Sequence, residues 1–173
     1  MTNEEKLKKY ESQATIYGEV CIEGMNQLLE SFKDEVKDDA IFLDIGSGFG
    51  KIVTYMAEIG GYNSIGIELV EEKHEIAKKI LWTNTKNKIK LIKGNIKDNL
   101  EILKQADVVF CNCVLFPFET VKWINENKKN NCIFIQNHSK IRIEGNWQTL
   151  PLKTSWKKGK ESLFYKTNTI TNR

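Results

Sequence analysis

The residues able to bind a ligand recur at one place in the pattern, the polar end of a short apolar run. Asp44, Gly46, Gly48 and Gly50 lie in FLDIGSGFGKI, Glu68 closes NSIGIE, Asn95 sits in KGNIKD and Asn112 follows VVFC. A glycine-rich turn between an apolar run and a helical pattern brings a ligand close to the main chain, because glycine has no Cβ. It also leaves unpaired N–H groups at the helix start. A dinucleotide fingerprint, G-x-G-x-x-G, would need a third glycine where this chain has Lys51. The pattern is instead D-x-G-x-G-x-G, with Asp44 ahead of the first glycine. A carboxylate there repels phosphate and suits a ligand with a positive amino group. The methionine end of S-adenosylmethionine (SAM) answers that description.

Glu68 ends the next apolar run and is placed to accept the two hydroxyl protons of a ribose, in NAD or SAM alike. The same carboxylate would also favour the helix that follows, through its dipole. Asn95 lies where an adenine edge would sit, and a carboxamide can accept from the exocyclic amine while donating to a ring nitrogen; it also suits a simple turn. Asn112 is the lone polar side chain after four apolar positions, able to hold an amine near a methyl group. Phe116 and Phe118, around Pro117, could wall an apolar channel or pack under the next helix. The strand end reads N-C-V-L, without the [DNS]-P-P-[YFW] motif common in amino methyltransferases of DNA bases and glutamine.

Positioning these groups requires alternating strands and helices. Residues 1–12 are polar and helix-prone, and Tyr17 to Phe32 sets Val20, Met25, Leu28, Leu29 and Phe32 on one helical face. The strand ending at Asp44 leads into a helix with Ile52, Val53, Tyr55, Met56 and Ile59 at apolar spacing. Strand 63–69, helix 70–82 with Ile76, Ile80 and Leu81 inward, and strand KIKLIKG follow. Then come strand ADVVFCNCV, helix FETVKWINEN, strand NCIFIQN and two late strands within IRIEGNWQTLPL and ESLFYKTNT. This alternation predicts an α/β fold of the class I SAM-dependent methyltransferase, Rossmann-like type: a mostly parallel seven-strand sheet with an antiparallel C-terminal hairpin.

With 173 residues, and no repeat or linker, residues 1–173 are expected to form a single domain with residues 1–15 as an N-terminal helical arm. A composition of 40% hydrophobic and 28% charged residues excludes extensive disorder. The formal net charge of +3, with lysines dispersed, permits nucleic-acid contact without indicating it. The opening MTNEEKLKKYESQ has no apolar core, and no run approaches the ~18 apolar residues of a span. The expectation is an intracellular protein, cytoplasmic or nuclear, without membrane contact. Of Cys21, Cys111, Cys113 and Cys132, three fall in expected buried strands or their ends, which suits a reducing compartment; for zinc, Cys111 and Cys113 would have only His74 and His138 to draw on, so they read as buried free thiols and no metal is expected.

From about Ile16 to Arg173 the sequence resembles the disruptor-of-telomeric-silencing family, the histone-lysine methyltransferases with a seven-strand fold rather than a SET domain. IYGEV resembles the family's V-Y-G-E, LDIGSGFG its D-L-G-S-G-x-G loop, and GIE its ribose-binding acid. VVFCNCVLF is similar to its strand ending in N-N-x-x-F, with Asn112 on the first asparagine and Phe116 on the aromatic. PLKTSWKKGKESLFY is similar to its late S-W-T-G-K segment.

The resemblance implies SAM-dependent methylation of a lysine ε-amine, on a histone or another protein, reached through a narrow aromatic channel. It places Tyr17 and Glu19 over the cofactor. The expected cofactor contacts are Glu19, Asp44, Gly46, Gly48, Glu68, Asn95 and Asn112, and the expected catalytic positions are Asn112, Phe116 and Tyr17. The chain departs from the pattern at Asn95, in place of aspartate, and at Cys113, in place of the second asparagine. Leu163 and Phe164 replace two tyrosines, leaving Tyr165 to supply a hydroxyl. Lys153, Lys157, Lys158 and Lys160 around Trp156 form a basic patch suited to an acidic partner or to solvent. A nucleic-acid or small-molecule methyltransferase, and a catalytically silent SAM-fold subunit, are the alternatives.

Overall fold

The computed structural model describes residues 19–80, 86–138, 140–141, 145–155 and 161–167. Strands β1 (Ile41–Ile45), β2 (Asn63–Glu68), β3 (Ile89–Lys93), β4 (Val108–Cys111), β5 (Ile133–Gln136), β6 (Trp147–Lys153) and β7 (Glu161–Thr167) form a single sheet in the order β3-β2-β1-β4-β5-β7-β6. The first five are mutually parallel; β7 runs antiparallel to β5, and β6 antiparallel to β7. This is the expected layout, hairpin included.

Helices α1 (Ile22–Phe32), α2 (Lys51–Glu58), α3 (Glu71–Ile80), α4 (Leu100–Gln105) and α5 (Phe118–Asn127) cover the sheet. Alternate residues of a strand point to opposite faces. Phe42, Val108, Phe110, Ile133 and Ile135 therefore pack with Met25, Leu28 and Phe32 of α1 and Met56 of α2. Leu43, Ile45, Val109 and Phe134 pack on the other side with Leu103 of α4 and Val121 and Ile124 of α5. Both faces being covered, the central strands read as continuous apolar runs.

Several expectations change. The first helix begins at Ile22; Val20 is buried but forms an isolated bridge with Thr154, and residues 1–18, the N-terminal arm among them, lie outside the described residues. Ile59 is 63% exposed because α2 ends at Glu58, turning it off the apolar face. The helix after β2 spans Glu71 to Ile80; Ile76 is half-buried, while the side chain of Ile80 and the whole of Leu81 lie outside the described residues. Helix α4 has no counterpart in the sequence reading, although Asn99 precedes it and Leu100 and Leu103 sit at helical spacing. At six residues it is too short for periodicity to stand out. Among the described residues no helix is long and apolar enough to cross a membrane.

Candidate functional site

Strand order reverses between β1 and β4, and in open α/β sheets ligands lie outside the carboxyl ends of the strands at such a point. A cavity of ≈ 790 Å³ opens there. The end of β1 and its glycine turn form its floor, Glu68 to Val70 and Asn95 line one side, and Asn112 and Val114 to Pro117 line the other.

Gly46, Gly48 and Gly50 have φ of 80°, 55° and 79°, the left-handed region that β-carbons disfavour. At Gly46 a Cβ would also stand 2.9 Å from the Phe116 ring, so the ring lies directly on the backbone. The turn's N–H groups are not left for a ligand, contrary to the sequence expectation. Gly46 and Ser47 donate to the Ile67 carbonyl at 2.8 and 3.0 Å, Gly50 to the Ser47 carbonyl at 2.9 Å, and Gly48 to Glu68 Oε2 at 2.7 Å. The loop turns back on β2, and the parallel partner strand supplies its acceptors.

Glu68 is fixed as a consequence. Its Oε1 accepts the Val70 N–H at 3.0 Å, so each carboxylate oxygen receives one backbone donor and retains a lone pair for a hydroxyl. Asp44 and Glu68 are 3% and 6% exposed. Burial, and secondarily the charge of Glu68, push the Asp44 carboxyl up to about 8. Two buried acids on one cavity favour a cation and disfavour a phosphate.

Asn95 lines the cavity while its Oδ1 caps the turn Ile96–Asp98, accepting the Lys97 N–H at 3.0 Å. Asn112, just past β4, and Phe116 both line the cavity. Phe118 does not: it begins α5 and turns away, its ring 5.5 Å from that of His138 and 5.8 Å from Lys140 Nζ. The exposed side chains beside Phe116 are instead Val114 at 61% and Leu115 at 73%. Glu19 lines the cavity too, and Tyr17 lies outside the described residues.

Of the late segment, Phe164 is in the core against Phe110, ring centres 5.5 Å apart, and Tyr165 is buried on β7 away from the cavity lining. Leu163 is on the exposed side of β7. Lys153 faces Glu23, with Nζ 3.7 Å from the carboxylate; Trp156, Lys157, Lys158 and Lys160 fall outside the described residues. Cys111, Cys113 and Cys132 are buried free thiols, and Cys21 is half-buried.

Three contributors have no clear mark in the sequence. Lys51 Nζ lies 3.0 Å from Glu19 Oε2, and both line the cavity. Ser155 exchanges two hydrogen bonds with Glu19, its Oγ accepting the Glu19 N–H at 3.0 Å and its N–H donating to the Glu19 carbonyl at 2.8 Å. Asn137, just past β5, contacts Asn112. Each depends on residues far apart in the chain; Ser155 falls in the late segment PLKTSWKKGKESLFY that carries part of the family resemblance.

The chain is 31% identical over 121 residues to the H3 lysine-79 specific histone-lysine N-methyltransferase of Gibberella zeae, an alignment covering 62% of this chain and 24% of that protein. The protein of the same name from Chaetomium globosum is 29% identical over 126 residues, 65% of this chain and 24% of its own length. The chain thus spans about a quarter of these curated relatives. Among solved structures, an RNA methyltransferase from Salinibacter ruber bound to S-adenosyl-L-homocysteine superposes with a TM-score of 0.66 at 18% identity, covering 90% of this chain and 95% of that one. A putative S-adenosyl-L-methionine-dependent methyltransferase from Methanococcus maripaludis gives 0.62 at 13% identity, covering 87% of each. These show the class I methyltransferase fold. The family model for the histone methylation protein DOT1 matches residues 1–141, and the chain belongs to that family.

Proposed function

We propose that this protein is a SAM-dependent protein-lysine N-methyltransferase, moving a methyl group to a lysine ε-amine of a histone or another protein. The observation that carries this reading is the division of one cavity between two buried carboxylates, Asp44 and Glu68, and an apolar wall of Val114, Leu115 and Phe116 beginning at Asn112. The acids fit the cofactor's ammonium and ribose. At ≈ 790 Å³ the cavity is within the usual range for such ligands. The H3 lysine-79 name of the relatives supports a lysine acceptor.

SAM supplies, when bound, a methyl group on a positively charged sulfur. In this reading Asp44 pairs with the amino group and Glu68 accepts from the ribose hydroxyls. Asn95 meets the adenine edge with whatever capacity its cap leaves. Glu19, held by Lys51 and Ser155, borders the same space. The apolar wall removes water from the incoming lysine. A lysine amine, with a pKa near 10.4 in water, is drawn toward its neutral, nucleophilic form by that desolvation. Asn112 and Phe116 would hold and orient that amine, so catalysis would rest on positioning and desolvation rather than on a strong base.

The test is transfer of radiolabelled methyl from SAM to free histones, to nucleosomes and to a lysate of the source organism, with hydrolysis to identify the labelled residue. Methyl-lysine in a protein band is expected. The Asn112→Ala variant should lose transfer and keep SAM binding. Label found only in nucleic acid or small molecules overturns the lysine assignment, and no label without a second chain favours a silent subunit.

A further inference from the structure

We infer that Asn137 is a positioning residue: it sets which edge of the Asn112 carboxamide faces which way, and so acts on transfer through Asn112. This rests on the lysine-methyltransferase reading above.

A single backbone group decides the arrangement. The Cys113 N–H can only donate, and it bonds Asn137 at 2.6 Å, so the atom it meets is Asn137 Oδ1. The other edge of Asn137 is therefore Nδ2, a donor, and the Asn112 atom 2.9 Å from it must be the acceptor Oδ1. Both carboxamide orientations follow from the peptide that leaves β4. Neither side chain is buried beyond reach of solvent, but both are held by half-buried bonds between neighbouring strand ends. β4 and β5 are parallel and in register to Cys111 and Gln136, so Asn112 and Asn137 each leave the sheet one residue later. This adjacency brings residues 25 positions apart into one clamp.

The chemistry needs such a clamp. A reversed Asn112 would turn Nδ2 toward Asn137 and Oδ1 away from it, exchanging donor for acceptor on the edge that Asn137 does not hold, while its volume and total hydrogen-bonding capacity stayed the same. A carboxamide is nearly symmetrical in shape, so hydrogen bonds rather than packing set its orientation. With Asn137 in place, reversal would set Nδ2 of one residue against Nδ2 of the other.

The discriminating variant is Asn137→Asp. It is nearly isosteric and still accepts the Cys113 N–H, but it presents an acceptor to Asn112 and should turn that carboxamide round. Three readouts are expected with [methyl-³H]SAM and free mixed histones. Transfer falls at least tenfold while the SAM dissociation constant, by calorimetry, and the melting temperature stay near those of the parent. Asn112→Ala/Asn137→Asp is no slower than Asn112→Ala alone, since the second change acts only through the side chain already removed. In ¹⁵N–¹H spectra the Asn112 side-chain amide signal moves downfield as it begins donating to a carboxylate, a readout independent of any acceptor protein.

An unmoved Asn112 signal in Asn137→Asp overturns the inference. So does a rate loss that multiplies on that of Asn112→Ala, or one accompanied by equal losses of SAM binding and melting temperature, because each marks a general structural role. If Asn112→Ala transfers like the parent, the catalytic reading of Asn112 fails instead, and the amide signal still decides whether the clamp exists.

Discussion

Glu68 Oε2 lies 2.7 Å from the Gly48 N–H, so the acid that ends β2 is also the acceptor that shapes the turn leaving β1. The fold of the loop and the proposed ribose contact depend on one carboxylate. Glu68→Gln keeps the side chain's length but turns one acceptor oxygen into an NH₂ group, which must face the N–H of either Gly48 or Val70. The expected result is a loss of about 1–3 kcal/mol in stability from a buried unmet donor. SAM affinity should fall roughly tenfold or more from the loss of charge-assisted bonds. Denaturant melts and calorimetry check both; unchanged stability would remove Glu68 from the loop's support.

Asp44 makes stability depend on pH. Its carboxyl, ordinarily at 3.8, is pushed up to about 8 by burial and then by Glu68. Between those values the folded protein holds a proton that the unfolded chain has released, so stability falls as pH rises from about 4 to about 8. Asp44→Asn removes this dependence and should raise the unfolding free energy at pH 8, by an amount on the order of a few kcal/mol at most, and the melting temperature with it. SAM binding should be lost in the same variant. Melting curves from pH 4 to 9 provide the check, and an equal slope in parent and variant would contradict it.

The same group links binding to proton release. An ammonium placed against Asp44 favours the ionised carboxylate, so SAM should bind with net release of most of one proton at pH 7. Calorimetry in buffers of different ionisation enthalpy measures this directly. A binding enthalpy at pH 7 that is the same in all buffers would separate Asp44 from the cofactor's amino group.

Gly46 and Gly61 offer a paired test of the turn. Both have positive φ, 80° and 76°, but a Cβ at Gly46 meets the Phe116 ring at 2.9 Å and one at Gly61 meets nothing within 4 Å. Gly61→Ala should cost only the backbone strain, about 1 kcal/mol. Gly46→Ala should cost more and should impair transfer by displacing Phe116. Adding Phe116→Ala to Gly46→Ala should recover part of the stability; no recovery would mean that the ring is not what the methyl group strikes.

What the amino-acid order determined was local. Apolar runs with Asp44, Glu68 and Asn112 at or near their C-terminal ends specify strands whose ligand-capable residues gather at one end, because a parallel strand covered on both faces has little room for polar side chains elsewhere. Glycine spacing and the acid before it were enough to separate an amino-bearing ligand from a phosphate. Tertiary structure decided what depends on neighbours distant in the chain. It turned Phe118 away toward His138. It directed the glycine-turn N–H groups to Ile67 and Glu68. It brought Lys51 and Ser155 to Glu19, and Asn137 to Asn112. Those contacts arise from sheet register and strand order, which bring residues together by strand end rather than by sequence separation, and no local periodicity records them.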